Sequence, residues 1–141
     1  MEKRYLIEGP LKQDLIAQII ERTGTRTESG GHSVFLGQVR ADIDDGKTVR
    51  AIEYSAYESM VYAEADKIKE AIFNEFGDVT AIEIVHSTGL VKAGEISLLV
   101  LVSAGHRQEA IGACARTVDL IKEKLPVWKK EIYDDSSHNW K

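Results

Sequence analysis

The chain has 141 residues, 43% of them hydrophobic, and a formal net charge of -5. That length and apolar content suit a single globular domain, residues 1–141, with a core of its own, and the acidic balance argues against general nucleic-acid binding. No apolar run reaches membrane-spanning length, the N-terminus lacks a signal-peptide core, and Cys114 stands alone, so no intrachain disulfide can form; the expected setting is the cytoplasm, away from any membrane.

Residues 5–8 read as a short strand, and Pro10 then opens a helix carrying Leu11, Leu15, Ile16, Ile19 and Ile20. A polar stretch over 23–31 ends in Gly30-Gly31, too short a signal for a phosphate loop. Residues 32–39 form a strand closed by a charged loop over 40–47, and 49–57 alternates well enough for a second, antiparallel strand. A second helix follows with Val61, Ala65, Ile68, Ile72 and Phe76 on one side, ended by Gly77-Asp78. The strongest strands are 79–86 and 96–103, with turns at Gly89 and Ala93-Gly94 between them. A third helix covers 107–125. Pro126 stops it, 127–133 adds an edge strand, and 134–139 is a polar tail before Trp140 and Lys141. The sum is an α+β fold, three main helices packed on a mixed, mostly antiparallel sheet.

The third helix carries an oddly placed charge. Ile111, Cys114, Ala115, Val118, Ile121 and Leu125 recur at helical spacing. At about 100° per residue, Lys122 falls only about 20° from Ile111, inside that stripe. A lysine there must snorkel, find a partner or lose its proton. Snorkelling near a helix end, where a cation suits the dipole, is the bland explanation. Cys114, on the same stripe, reads as a small buried hydrophobe. With four scattered histidines and one cysteine there is no metal-ligand spacing, so no metal site is expected.

Three basic clusters lie at element ends: Gln38-Val39-Arg40, Gly105-His106-Arg107, and Lys122 followed across Pro126 by Lys129-Lys130-Glu131. The segment 105–130 holds six basic and three acidic residues, a local +3 that leaves -8 for the rest. Such a patch on an acidic protein suits a small anion or an acidic partner. At a helix start, His106 and Arg107 could contribute to a phosphate or carboxylate site, although a plain surface turn explains them equally well. Arg107 and Lys122 are separated by fifteen residues, about 22 Å along a helix axis. One small ligand cannot bridge that within a chain, whereas a two-fold dimer could bring the two ends together.

Phe35-Leu-Gly-Gln-Val-Arg40, Glu53-Tyr54, His86-Ser-Thr-Gly89, Gly94-Glu95, Ser103-Ala-Gly-His-Arg107 and Lys122-Glu-Lys-Leu-Pro-Val-Trp-Lys-Lys-Glu131 together resemble the MoaE family, the large catalytic subunits of molybdopterin synthase. The resemblance runs in order over nearly the whole chain. It implies an α/β-hammerhead fold and a homodimer of large subunits within a heterotetramer. Each large subunit would bind a small ubiquitin-like sulfur carrier whose C-terminal Gly-Gly ends in a thiocarboxylate. Sulfur would pass to cyclic pyranopterin monophosphate, two transfers building the molybdopterin dithiolene, with no cofactor. Carried over by motif, Lys122 is the essential lysine and Lys129 the second pocket lysine; Gln38, Val39, Arg40, His106, Arg107, Lys130 and Glu131 are substrate contacts. Trp128 is a candidate to flank the pterin, against the commoner role of core packing. Where some members carry a further basic residue beyond the tryptophan matching Trp140, this sequence has only Lys141. Two other readings compete: a non-catalytic dimeric module binding small anions, and a carbonyl enzyme with Lys122 as Schiff-base lysine.

Overall fold

The computed structural model describes residues 4–141. In chain order the elements are β1 (Leu6–Glu8), α1 (Gln13–Glu21) with a 3-10 turn at Arg22–Thr25, β2 (Gly31–Gln38), β3 (Ile43–Asp44), β4 (Lys47–Ala56), α2 (Glu58–Glu75), β5 (Val79–Lys92), β6 (Ile96–Ala104), α3 (Arg107–Lys124), β7 (Val127–Tyr133) and β8 (His138–Trp140). The strands form one sheet in the order β2-β6-β5-β4-β7-β8, with β1 added to β5 and β3 to β4. Among the described residues only the β1–β5 pairing is parallel. Three helices on a mixed, mostly antiparallel sheet is the architecture expected from the sequence.

Helices cover both faces of the β5–β6 half, which is why β6 reads as an uninterrupted apolar run. Leu98, Val100 and Val102 pack with α2 and α3 residues such as Ile72, Ala113 and Ile121. Leu99 and Leu101 turn to the other face, against Leu11, Leu15, Ile16 and Ile19 at α1. A third, smaller cluster of Val39, Tyr54 and Val91 lies in the other half of the sheet.

Five expectations are corrected. The strand over 49–57 does not pair antiparallel with the one over 32–39, because β6 and β5 separate β4 from β2. Gly89 is not a turn between strands: β5 runs on for 14 residues, changing partner from β6 over 79–86 to β4 over 89–92. Gly89 sits at that change with φ +76, a conformation costly for any residue with a Cβ. The first helix begins at Gln13 rather than Pro10, because Lys12 before it is extended, φ -88 and ψ 163, while the Leu11 N–H bonds the Ile96 carbonyl at 2.9 Å. The loop over 40–47 holds a tight hairpin, β3 to β4, turning on Asp45 and Gly46, both at positive φ. Asp-Gly is the signature of that turn. Finally, β7 is not an edge strand, because the polar tail folds back as β8 and pairs with it from Lys130 to Ile132. Among the described residues no helix is long and apolar enough to cross a membrane.

Candidate active site

The partner change in β5 opens a cavity of about 580 Å³ between the end of β2, the last turn of α3 and β7. Gln38, Val39 and Arg40 line one wall, Ile121 and Lys122 a second, and Lys129 and Glu131 a third; Tyr54, His86 and Ser97 also line it. Pro126 is what brings two of those walls together. It holds Leu125 in an extended conformation, φ -71 and ψ 121, ends α3 and starts β7. Lys122 and Lys129 therefore lie on different elements yet face one space.

The two lysines differ from every other cation lining the cavity. Arg40 is 85% exposed and paired with Asp42 at 2.7 Å. Lys141 lies between Asp44 at 3.4 Å and Glu131 at 3.5 Å. Neither Lys122 nor Lys129 has a carboxylate in ion-pair range among the described residues. Partial desolvation in the cavity wall pushes the Lys129 pKa down, the Lys122 charge pushes it further, and Glu131 opposes both. Two cations that face one space, neither of them in an ion pair, favour an anion between them.

Lys122 is not where the sequence stripe put it. The buried face of α3 is Ala110, Ala113, Cys114, Thr117, Val118, Leu120 and Ile121. Ile111 is 59% exposed, and Ala115 and Lys122 are exposed with it. Small residues make the real contact surface, and Thr117 joins it by donating its hydroxyl to the Ala113 carbonyl at 2.6 Å. A pattern weighted by hydrophobicity centres on Ile111 and misses this rotation. Cys114 is buried as expected, its thiol 3.9 Å from the Val100 carbonyl.

The remaining candidates divide. Strand alternation separates Lys129 and Glu131, which face the cavity, from Lys130, which does not. Lys130 pairs with Glu53 at 2.9 Å and lies over the Trp140 ring. Trp128, on the Lys130 side of β7, is 46% exposed and edge-on to Tyr57, so it is neither core nor cavity wall. The Val39 backbone is fully engaged, its N–H with the Glu95 carbonyl and its carbonyl with the Gly94 N–H. His106 and Arg107 are at the far end of α3, outside this cavity. There Asp78 accepts the His106 backbone N–H at 2.7 Å and lies 3.1 Å from its ring Nδ1. Gly30 and Gly105 permit that packing: a Cβ on Gly30 would strike the Gly105 carbonyl, and one on Gly105 would strike Asp78. The sequence reading assigned no role to Tyr54, His86 or Ser97. The Glu53-Tyr54 and His86-Ser-Thr-Gly89 motifs were the available signals for two of them.

A protein-family model described as "MoaE protein" matches residues 7–124. A molybdopterin synthase catalytic subunit from Dictyostelium discoideum is 44% identical over 115 residues, covering 80% of this chain and 72% of that one. The crystal structure of molybdopterin synthase from Staphylococcus aureus superposes with a TM-score of 0.85 at 28% identity, covering 100% of this chain and 98% of that one. A complex of subunits 1 and 2 of the molybdopterin-converting factor from Helicobacter pylori shares the fold, with a TM-score of 0.79 at 20% identity over 96% of this chain and 88% of that chain. The chain belongs to the MoaE family, and its activity is the sulfur transfer of a molybdopterin synthase catalytic subunit.

Proposed function

We propose that the cavity beside Lys122 and Lys129 is where that transfer occurs, and that the sulfur arrives as the C-terminal thiocarboxylate of a small ubiquitin-like carrier. The observation that carries this reading is the pair of lysines facing one space, neither in an ion pair among the described residues. A thiocarboxylate and a cyclic phosphate are both anions, and fixed cations in a partly enclosed site hold them without reorganisation. Lys122 positions the thiocarboxylate and stabilises the charge that moves as its sulfur bonds to a side-chain carbon of cyclic pyranopterin monophosphate and that carbon's C–O bond breaks, the oxygen leaving on the phosphate or as water. Water then cleaves the carrier's acyl C–S bond, leaving sulfur on the pterin and a carboxylate on the carrier; a second round completes the dithiolene. The sulfur is brought in, so Cys114 stays structural, a free, buried thiol. The two-subunit Helicobacter pylori complex supports an assembly with a separate carrier chain.

The site is further proposed to be shared across a two-fold dimer. Fifteen residues of continuous helix separate Arg107 from Lys122, about 22 Å. A second copy, placing its own His106 and Arg107 at the mouth of this cavity, would supply the phosphate contact that one chain lacks. β2 supports this arrangement: it is an end strand of the sheet, with Val34 and Leu36 exposed. Lys130 and Glu131 remain proposed contacts, Glu131 from the cavity wall and Lys130 only if its ion pair with Glu53 opens. The test is reconstitution. The protein mixed with thiocarboxylated carrier and cyclic pyranopterin monophosphate should yield dithiolene product and carrier carboxylate. No product, under conditions where a known synthase gives it, would overturn the reading.

A further inference from the structure

His86 is 6% exposed yet lines the lysine cavity. Its proximal ring nitrogen, Nδ1, is 2.8 Å from the Ser87 carbonyl. A carbonyl oxygen only accepts, so Nδ1 carries the proton in that contact and the distal nitrogen, Nε2, is left as an acceptor. With Nδ1 turned to the backbone, Nε2 is at the opposite, outer edge of the ring. No hydrogen-bond partner is recorded for it among the described residues. The ring cannot turn freely to find one: it lies edge-on to Tyr54, centroids 5.0 Å apart. The Tyr54 hydroxyl is itself committed, donating to the Ser97 hydroxyl at 3.1 Å.

Nε2 is not among the fully buried side-chain atoms left without a partner, so in a ring that lines the cavity it keeps access to that space, where a ligand's donor can meet it. Lys122 and Lys129 cannot be replaced in their role by such a nitrogen, because it attracts no anion. What it matches is an N–H or O–H. We propose that His86 is a substrate-binding residue of this cavity, its Nε2 accepting a hydrogen bond from a neutral N–H or O–H donor on the bicyclic, uncharged part of the substrate. The lysines then read the anions and His86 reads the heterocycle, which distinguishes a pterin-like phosphate from a phosphate alone. The imidazole stays neutral for this task. Burial, with the nearby Lys129 and Lys122 charges, pushes its pKa down to about 4, against the opposing Ser87 contact. This inference rests on the sulfur-transfer reading above.

Two near-isosteric substitutions separate binding from mere packing. His86→Asn keeps a donor near Nδ1, and with it the Ser87 contact, but has nothing at the Nε2 position. His86→Gln places a polar atom near Nε2 and loses the Nδ1 donor. In the reconstituted reaction, His86→Asn should raise KM for cyclic pyranopterin monophosphate by about tenfold, the loss of one hydrogen bond. His86→Gln should recover most of that loss, and neither should change the response to carrier concentration. A purely structural histidine gives the reverse order, Gln worse than Asn in both melting temperature and KM. That order, or an unchanged KM in a folded His86→Asn protein, overturns the proposal while wild-type turnover stands. Absence of product from the wild-type protein overturns the parent reading, and this proposal with it. Should both variants fail to fold, wild-type protein labelled with ¹⁵N-histidine gives the answer. Adding cyclic pyranopterin monophosphate should move the His86 Nε2 resonance; a resonance that stays put at saturation counts against the contact.

Discussion

At the scale of single residues, the site depends on which charges are already spoken for. Arg40 and Lys141 have carboxylates in ion-pair range, whereas Lys129 has its pKa pressed down by desolvation and by Lys122, with Glu131 opposing. An anion favours charged Lys129, so the affinity it lends is full below the folded pKa and fades as pH rises through it. That pKa lies below the ordinary 10.5, so titration calorimetry should show affinity for the cyclic phosphate beginning to fall at a lower pH than an ordinary lysine would allow. Lys129→Arg, charged throughout, should shift that alkaline limb upward; an unmoved limb would assign it to another group. Cys114 gives the contrast. Cys114→Ala should lower stability by about 1 kcal/mol in urea denaturation, from the small cavity it leaves, while keeping most of the sulfur transfer. Total loss of turnover in a folded Cys114→Ala protein would mean that the chain's own sulfur takes part.

At the scale of elements, the sequence disclosed the helices and main strands but not how they are turned. Amphipathic spacing located α2 and α3, and the apolar run located β6. The rotation of α3 was hidden because Ala110, Ala113 and Thr117 make the first turns of its core face, ahead of Val118, Leu120 and Ile121, and residues that small barely register as apolar pattern. Period-two alternation on β7 was legible in principle, and it separates Lys129 and Glu131 from Lys130. The tail over 134–140 was not legible as a strand: His138, Asn139 and Trp140 are all exposed and pair through backbone groups. His86 looked like any strand residue, since only the fold shows which cavity its ring borders. The start of α3 is open to test. Asp78 accepts the His106 N–H and no side chain of the preceding loop does so. Asp78→Ala should therefore cost about 1 kcal/mol, seen as a melting temperature lower by roughly 3 °C. An unchanged melting curve would show that Asp78 adds nothing to the helix end.

At the scale of the whole molecule, one chain brings Lys122 and Lys129 together and leaves Arg107 about 22 Å away along α3. If two copies share each site, Arg107→Ala and Lys122→Ala chains, each inactive alone, should complement when mixed. A mixed dimer would rebuild one complete cavity, so its activity should approach half that of wild type. Subunit exchange shown by native mass spectrometry, with activity still at the parental level, would confine each site to one chain. Beneath the question of sharing lies the central claim, that an unpaired lysine at the end of α3 holds the sulfur donor. Its most direct measurement is single-turnover dithiolene formation by Lys122→Ala with saturating thiocarboxylated carrier and cyclic pyranopterin monophosphate. Lys122 is exposed and makes no ion pair among the described residues, so the variant should fold and melt like wild type yet form no product above background. Near-normal product formation by that folded variant would contradict the claim.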